Sequence, residues 1–160
     1  MAYHDKLLQQ AKELVHNDPN NPTQADLRRS VSSAYYALFH LLIFEACLNW
    51  SNDASRPGLA RILIHGVMKK VSRIVSDVGK MPYAGQDPAL VQKLRAFARL
   101  FVQLQEQRHE ADYNMKEAWT FTQSVEDVLA ASQALAIWQE IRTANISQDF
   151  LVSLLIRPRD

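Results

Sequence analysis

Glycine is scarce in this chain, with four among 160 residues, and no stretch alternates apolar with polar residues as a half-buried strand would. Both shortages argue against a sheet. Cysteine is scarcer still. Cys47 stands alone, so no intrachain disulfide can form, and its apolar neighbours suit a small buried side chain in a reducing compartment. Charge of one sign is lacking as well: 18 basic against 17 acidic residues leave a formal charge of +1. Binding driven mainly by phosphate neutralisation is therefore not favoured overall, although a local basic patch is compatible with it. The most apolar window, Ala34 to Leu48, is interrupted by His40 and Glu45 and falls short of the roughly 20 residues that span a bilayer. No secretory apolar block opens the chain. A soluble, cytoplasmic domain with no membrane association is expected.

What is present is helical periodicity. A first helix is predicted from Tyr3 to about His16, with Leu7, Leu8, Ala11, Leu14 and Val15 as its stripe, stopped by Asn17 through Pro22. Thr23 can cap a second helix running to about Trp50, and Ser51 to Pro57 reads as a loop. A third helix is predicted from Gly58 to Val78, broken by Gly79 through Gln86. Asp87 followed by Pro88 opens a fourth helix that continues to about Glu110, and a fifth is expected from Lys116 to Thr143. The fold class that follows is all-α: an antiparallel bundle of about five helices over residues 1–145, with a short apolar helix in residues 146–160. Phe150, Leu151, Leu154 and Leu155 cannot bury themselves alone, so that tail should dock on the bundle or on a second subunit.

Polar groups are threaded along the second helix in a way that ordinary core does not require. Arg29, Ser33, Tyr36 and His40 follow at spacings of four, three and four and so share one face. Near the end of the fourth helix, Arg108 and Asp112 form one column and His109 and Tyr113 another. If the two surfaces meet, Arg108 can be held between Asp112 and the Ser33 and Tyr36 hydroxyls. One reading is a structural clasp, since buried charges persist only when paired and hydrogen-bonded. The other is a site for gripping or cutting RNA, with Arg108 stabilising charge on a phosphate and His109 or His40 moving a ribose proton. Lys69, Lys70 and Arg73 give the third helix a basic side that could touch nucleic acid. One cysteine and five scattered histidines supply no metal-site spacing, and neither a phosphate loop nor a nucleophile elbow is present, so no metal or cofactor is expected.

The run Arg29 to His40, R-S-V-S-S-A-Y-Y-A-L-F-H, resembles the second-helix motif of HEPN-domain proteins, whose small stand-alone branch reads roughly S-R-A-Y-Y-A-x-F-H. Arg108-His109-Glu110-Ala111-Asp112-Tyr113 is similar to that branch's R-N-x-A-D-Y element, and His65-Gly66-Val67 is similar to a histidine found after its intervening loop. The resemblance extends in order and spacing over about Leu7 to Val128. It implies a bundle of four to five helices, homodimerisation, and membership of a superfamily rich in ribonucleases and toxin–antitoxin components. A nucleotidyltransferase-like protein would then be a cognate partner.

Catalytic members carry arginine, a polar residue and, a few positions on, a histidine. Counting from Arg108, that histidine falls near Tyr113 or Asn114, and no histidine follows His109. Tyrosine, with a reference pKa of about 10, shuttles protons poorly at neutral pH. The resemblance thus implies a catalytically degenerate, dimeric binding module in an RNA-related or defence-type system. The alternatives are a metal-independent endoribonuclease toxin and an adaptor with no nucleic-acid role.

Overall fold

The computed structural model describes residues 1–77 and 83–156. Seven α-helices and no strand are found among them: α1 (Tyr3–Val15), α2 (Gln24–Leu48), α3 (Arg56–Ile62), α4 (His65–Ser76), α5 (Pro88–Tyr113), α6 (Phe121–Ile141) and α7 (Asn145–Leu155), with a single 3₁₀ turn at Asp53–Ser55. The starts follow from local chemistry. Thr23 Oγ1 accepts the Asp26 amide at 3.1 Å, and Asp87 Oδ1 accepts the Ala89 amide at 2.9 Å with Pro88 at the first turn. At α6, Thr120 and Gln123 cap each other reciprocally, the Gln123 amide donating to Thr120 Oγ1 at 3.1 Å and the Thr120 amide to Gln123 Oε1 at 2.9 Å.

Helix α2 is the axis of the bundle and packs against α1, α3, α5, α6 and α7. Its apolar residues run almost all the way round, which suits a helix enclosed by neighbours. Val31, Ala34, Tyr35, Ala37, Leu38, Leu41 and Leu42 are fully buried. By length and composition α2 could cross a membrane, and 72% of that apolar stretch lies buried inside the bundle. The described part of the tail, residues 146–156, packs on the bundle: Ile146, Phe150, Leu151 and Leu154 are buried, and the Phe150 ring lies 6.3 Å from those of Phe97 and Trp138.

The expected third helix is two helices. It begins at Arg56 with Pro57 in its first turn, ends at Ile62, and resumes as α4 at His65. Between them Leu63 (φ −71°, ψ 118°) and Ile64 (φ −125°, ψ 140°) are extended, which drives Leu63 into the core at 4% exposure. Burial of that side chain outweighs the hydrogen bonds a continuous helix would keep. Val78 and the predicted break from Gly79 to Pro82 lie outside the described residues; Tyr83 to Gly85 form a turn, Gly85 with φ 82°. The fourth predicted helix runs one turn further than expected, to Tyr113, and the fifth starts only at Phe121. Residues 116–120 are a loop because the Gln24 side chain takes over the Trp119 backbone, donating to its carbonyl at 2.7 Å and accepting its amide at 2.8 Å. Leu129 of α6 is 62% exposed.

Candidate functional site

The C-terminal half of α5 lies along α2, and Arg108 is the residue that joins them. Its Nη1 donates to Asp112 Oδ2 at 3.2 Å, one helical turn on, with the Arg108 side chain 15% exposed. The guanidinium carbon sits 5.3 Å from the Tyr35 ring centre and 5.8 Å from that of Tyr36. Such ring contacts contribute about 0.5–2 kcal/mol each, depending on desolvation. The expected hydroxyl contacts are not made. Ser33 Oγ donates instead to Gln10 Oε1 of α1 at 3.1 Å, because that face of α2 turns towards α1. Among the described residues no hydrogen bond joins Arg108 to Tyr36, whose ring rather than its hydroxyl meets the cation. Arg108 Nε is buried without a partner.

Tyr35, fully buried beneath Arg108, carries the site onward. Its hydroxyl lies 2.6 Å from His65 Nδ1. Burial pushes the Tyr35 phenol far up and outweighs the opposing pull of Arg108, so it keeps its proton and shares a hydrogen bond with the imidazole. His65 in turn stacks on Phe39, ring centres 3.9 Å apart and planes at 15°. Burial, then the charges of Arg108 and His40, hold His65 below its usual range. His65 reaches this position because the extended Leu63-Ile64 pair ends α3 and restarts the helix beside α2.

The remaining site residues separate. His40 is half-buried, with the Tyr3 ring edge-on at 4.8 Å and the Tyr36 ring at 6.4 Å; burial and then His4 hold it low. His109 is exposed on the other α5 column, its ring 5.0 Å from that of Tyr113, itself 67% exposed. Arg29 is also exposed. Its neighbour Arg28 turns inward, donating through Nη1 to the Ala111 and Asn114 carbonyls at 2.7 and 2.9 Å, and through Nη2 to the Glu117 carbonyl at 2.6 Å. Arg28 therefore fixes the very end of α5 that bears Arg108 and Asp112. Spacing alone could not prefer it over Arg29, since the two point about 100° apart on a helix.

On α4, Lys69 and Arg73 both converge on Glu106 of α5, Lys69 at 3.4 Å, while Lys70 is exposed. Partial burial pushes the Glu106 carboxyl up, but hydrogen bonds from Arg73 and Lys69 prevail and hold it low. Two of the three basic residues thus share a single carboxylate at the bundle surface. Among the described residues no group of three histidine, cysteine or acidic side chains is placed to hold a metal.

The chemistry this arrangement offers is anion recognition: a guanidinium with one singly bonded carboxylate partner, set against the Tyr35 and Tyr36 rings and near the half-buried His65 imidazole. No protein-family model, curated protein or solved structure significantly similar to this chain is found.

Proposed function

We propose that this chain is a HEPN-like helical binding module that grips the RNA backbone at Arg108 without cleaving it, as one component of a toxin–antitoxin or other defence-type system in the cytoplasm. The observation that carries the reading is the incomplete coordination of Arg108. A guanidinium serving only as a clasp would be held by paired N–H bonds to its carboxylate, whereas here the carboxylate contact is a single 3.2 Å bond to Asp112; Nε is buried and is not itself open to a ligand. A planar guanidinium matches a phosphate, as it does a carboxylate, through paired N–H donors. Against cleavage stands the placement of the imidazoles: His109 lies on the exposed column with Tyr113, and His65 has Nδ1 engaged by Tyr35.

A second reading, a metal-independent endoribonuclease, draws support from His65. This imidazole is held low by burial and by Arg108, so it is neutral at pH 7 and suits a general base near a phosphate. Incubating the pure protein with mixed RNA, beside an Arg108→Ala variant of intact fold, separates these. Retention of intact RNA by the parent and not by the variant supports the binding module. Cleavage lost in the variant selects the ribonuclease. Absence of both at low salt, with a stable protein partner recovered, leaves the adaptor reading, for which a second copy or a nucleotidyltransferase-like protein is the candidate.

A further inference from the structure

The ridge beside Arg108 carries a row of titratable groups that a simple phosphate grip does not need. His40 of α2 and His65 of α4 are bracketed by the same two rings: Tyr36 lies 6.4 Å from His40 and 5.8 Å from His65, and Phe39 lies 5.4 Å and 3.9 Å from them. His40 also borders an open groove of about 390 Å³ between α1, α2 and α3, lined by Tyr3, His4, Phe44 and Arg56. Both imidazoles are half-buried, and His40 opens on that groove. We propose that His40 and His65 extend the Arg108 site into a proton-linked cradle for the phosphodiester chain of single-stranded RNA, which each imidazole grips by taking up a proton as the chain docks. The proposal rests on the RNA-backbone reading above and specifies how that site is regulated.

The surroundings favour this. The charged and titratable groups facing the pair are Tyr3 and His4 from α1, Tyr35 and Tyr36 from α2, Arg108 from α5 with Asp112 bonded to it, and Arg56 across the groove, paired with Asp53 at 2.7 Å. Among the described residues neither imidazole is paired with a carboxylate; the one histidine–carboxylate contact is His4 with Asp5, at 3.6 Å. Burial first, and then neighbours that are cationic or can become so, disfavour the charged form of both rings in the free protein. A phosphate set among them reverses that balance: it screens Arg108 and attracts the second charge. The Tyr35 hydroxyl, which can accept as well as donate, retains its bond to Nδ1 when His65 is protonated. Tyr3, 61% exposed beside His40, and the half-buried Tyr36 offer stacking surfaces for unpaired bases, which duplex RNA would not present.

The sign follows from linkage. Because free His40 and His65 titrate below the usual histidine range, the bound chain raises them, and affinity climbs as pH falls from about 8 through about 6. Each proton taken up contributes at most about a tenfold gain per pH unit. The test is fluorescence anisotropy of a labelled single-stranded oligoribonucleotide against the full chain, at fixed salt, across that range. Comparison variants are His40→Gln, His65→Gln and His16→Gln, the last altering an exposed imidazole bonded to the Lys12 carbonyl. The proposal expects affinity to rise at least tenfold in the parent and in His16→Gln, with the slope flattened in His40→Gln and His65→Gln. Circular dichroism confirms folding, and the two independent variants guard against one failing to fold. RNA binding with the same slope in all four proteins overturns the proton linkage and leaves the RNA grip standing. Absence of RNA binding at every pH overturns the grip itself, and the cradle with it.

Discussion

Two arginines cross from one helix to another at the same end of the bundle, and they are treated differently. Arg28 reaches from α2 to three backbone carbonyls at the end of α5 and in the loop beyond it, at 2.6 to 2.9 Å, and its Nε bonds Gln24 at 3.2 Å. Arg108 reaches from α5 towards α2 and finds ring faces, one carboxylate and an idle Nε. The first guanidinium makes four hydrogen bonds, three of them to carbonyls at the end of α5 and in the loop beyond it, which is structural work. The second has capacity left over. Arg142, bonded to buried Glu45 at 3.0 Å, resembles the first; Arg108 Nε is instead one of several buried polar atoms without a partner among the described residues, Asp127 Oδ2 among them.

The comparison is broken most directly at Arg28. Arg28→Ala removes charge-assisted bonds to three carbonyls, and the expected loss is about 3–4 kcal/mol in urea denaturation, allowing for partial solvent access. Arg28→Lys should recover little of it, since a point ammonium cannot span three acceptors. A loss below about 1 kcal/mol would mean that the carbonyls are as well served by water, and the distinction between the two arginines would fall.

Asp127 of α6 sharpens the same logic with the opposite charge. It is 4% exposed, with Oδ2 lacking a partner, and burial, then the neighbouring Glu126 charge, pushes its carboxyl up to about 7. In the unfolded chain it titrates at its ordinary 3.8. The folded state therefore binds the extra proton between those two values, and stability must fall as pH rises from about 4 through about 7. The expected loss over that window is about 3 kcal/mol, and Asp127→Asn should abolish it. Urea midpoints measured against pH decide the matter: a parent curve flat over this range would show that Asp127 finds a partner in solution.

Arg108 lies between these cases. Arg108→Ala should cost only about 1 kcal/mol, because its ion pair is partly solvated and its ring contacts are individually small. RNA retention should nevertheless drop by at least tenfold. A stability loss equal to that of Arg28→Ala, with RNA retention unchanged, would make Arg108 a second clasp.

How far these sites could be read in advance depended on the range of the forces involved. Arg108 and Asp112 stand four apart on one helix, and the pair forms as that spacing requires. The end of α1, the cap at Thr23 and the Asp87-Pro88 start of α5 rest on chemistry within one turn, and all were legible. Arg28 and Arg29 were not distinguishable, because which one turns inward depends on the rotation of α2 against α5. The break at Leu63-Ile64 carries no proline or glycine at the kink; it exists because the core has room for Leu63, which only the packed structure reveals. His65 joined the site through that break. Its partner Tyr35 is thirty positions away, and local periodicity says nothing at such a separation.

The smallest of the expected effects isolates the hydroxyl of Tyr35 from its ring. Tyr35→Phe keeps the buried aromatic face beneath Arg108 and deletes only the bond to His65 Nδ1. One partly buried hydrogen bond of this kind contributes about 0.5–1.5 kcal/mol, so thermal or urea denaturation should register a loss of about 1 kcal/mol. RNA retention at pH about 8, where His65 is neutral in either protein, should be unchanged, because the cation rests on the ring and not on the oxygen. If retention falls together with stability, then the position of His65, and not the aromatic seat of the guanidinium, is what keeps Arg108 available, and the contrast with Arg28 has to be redrawn around the imidazole.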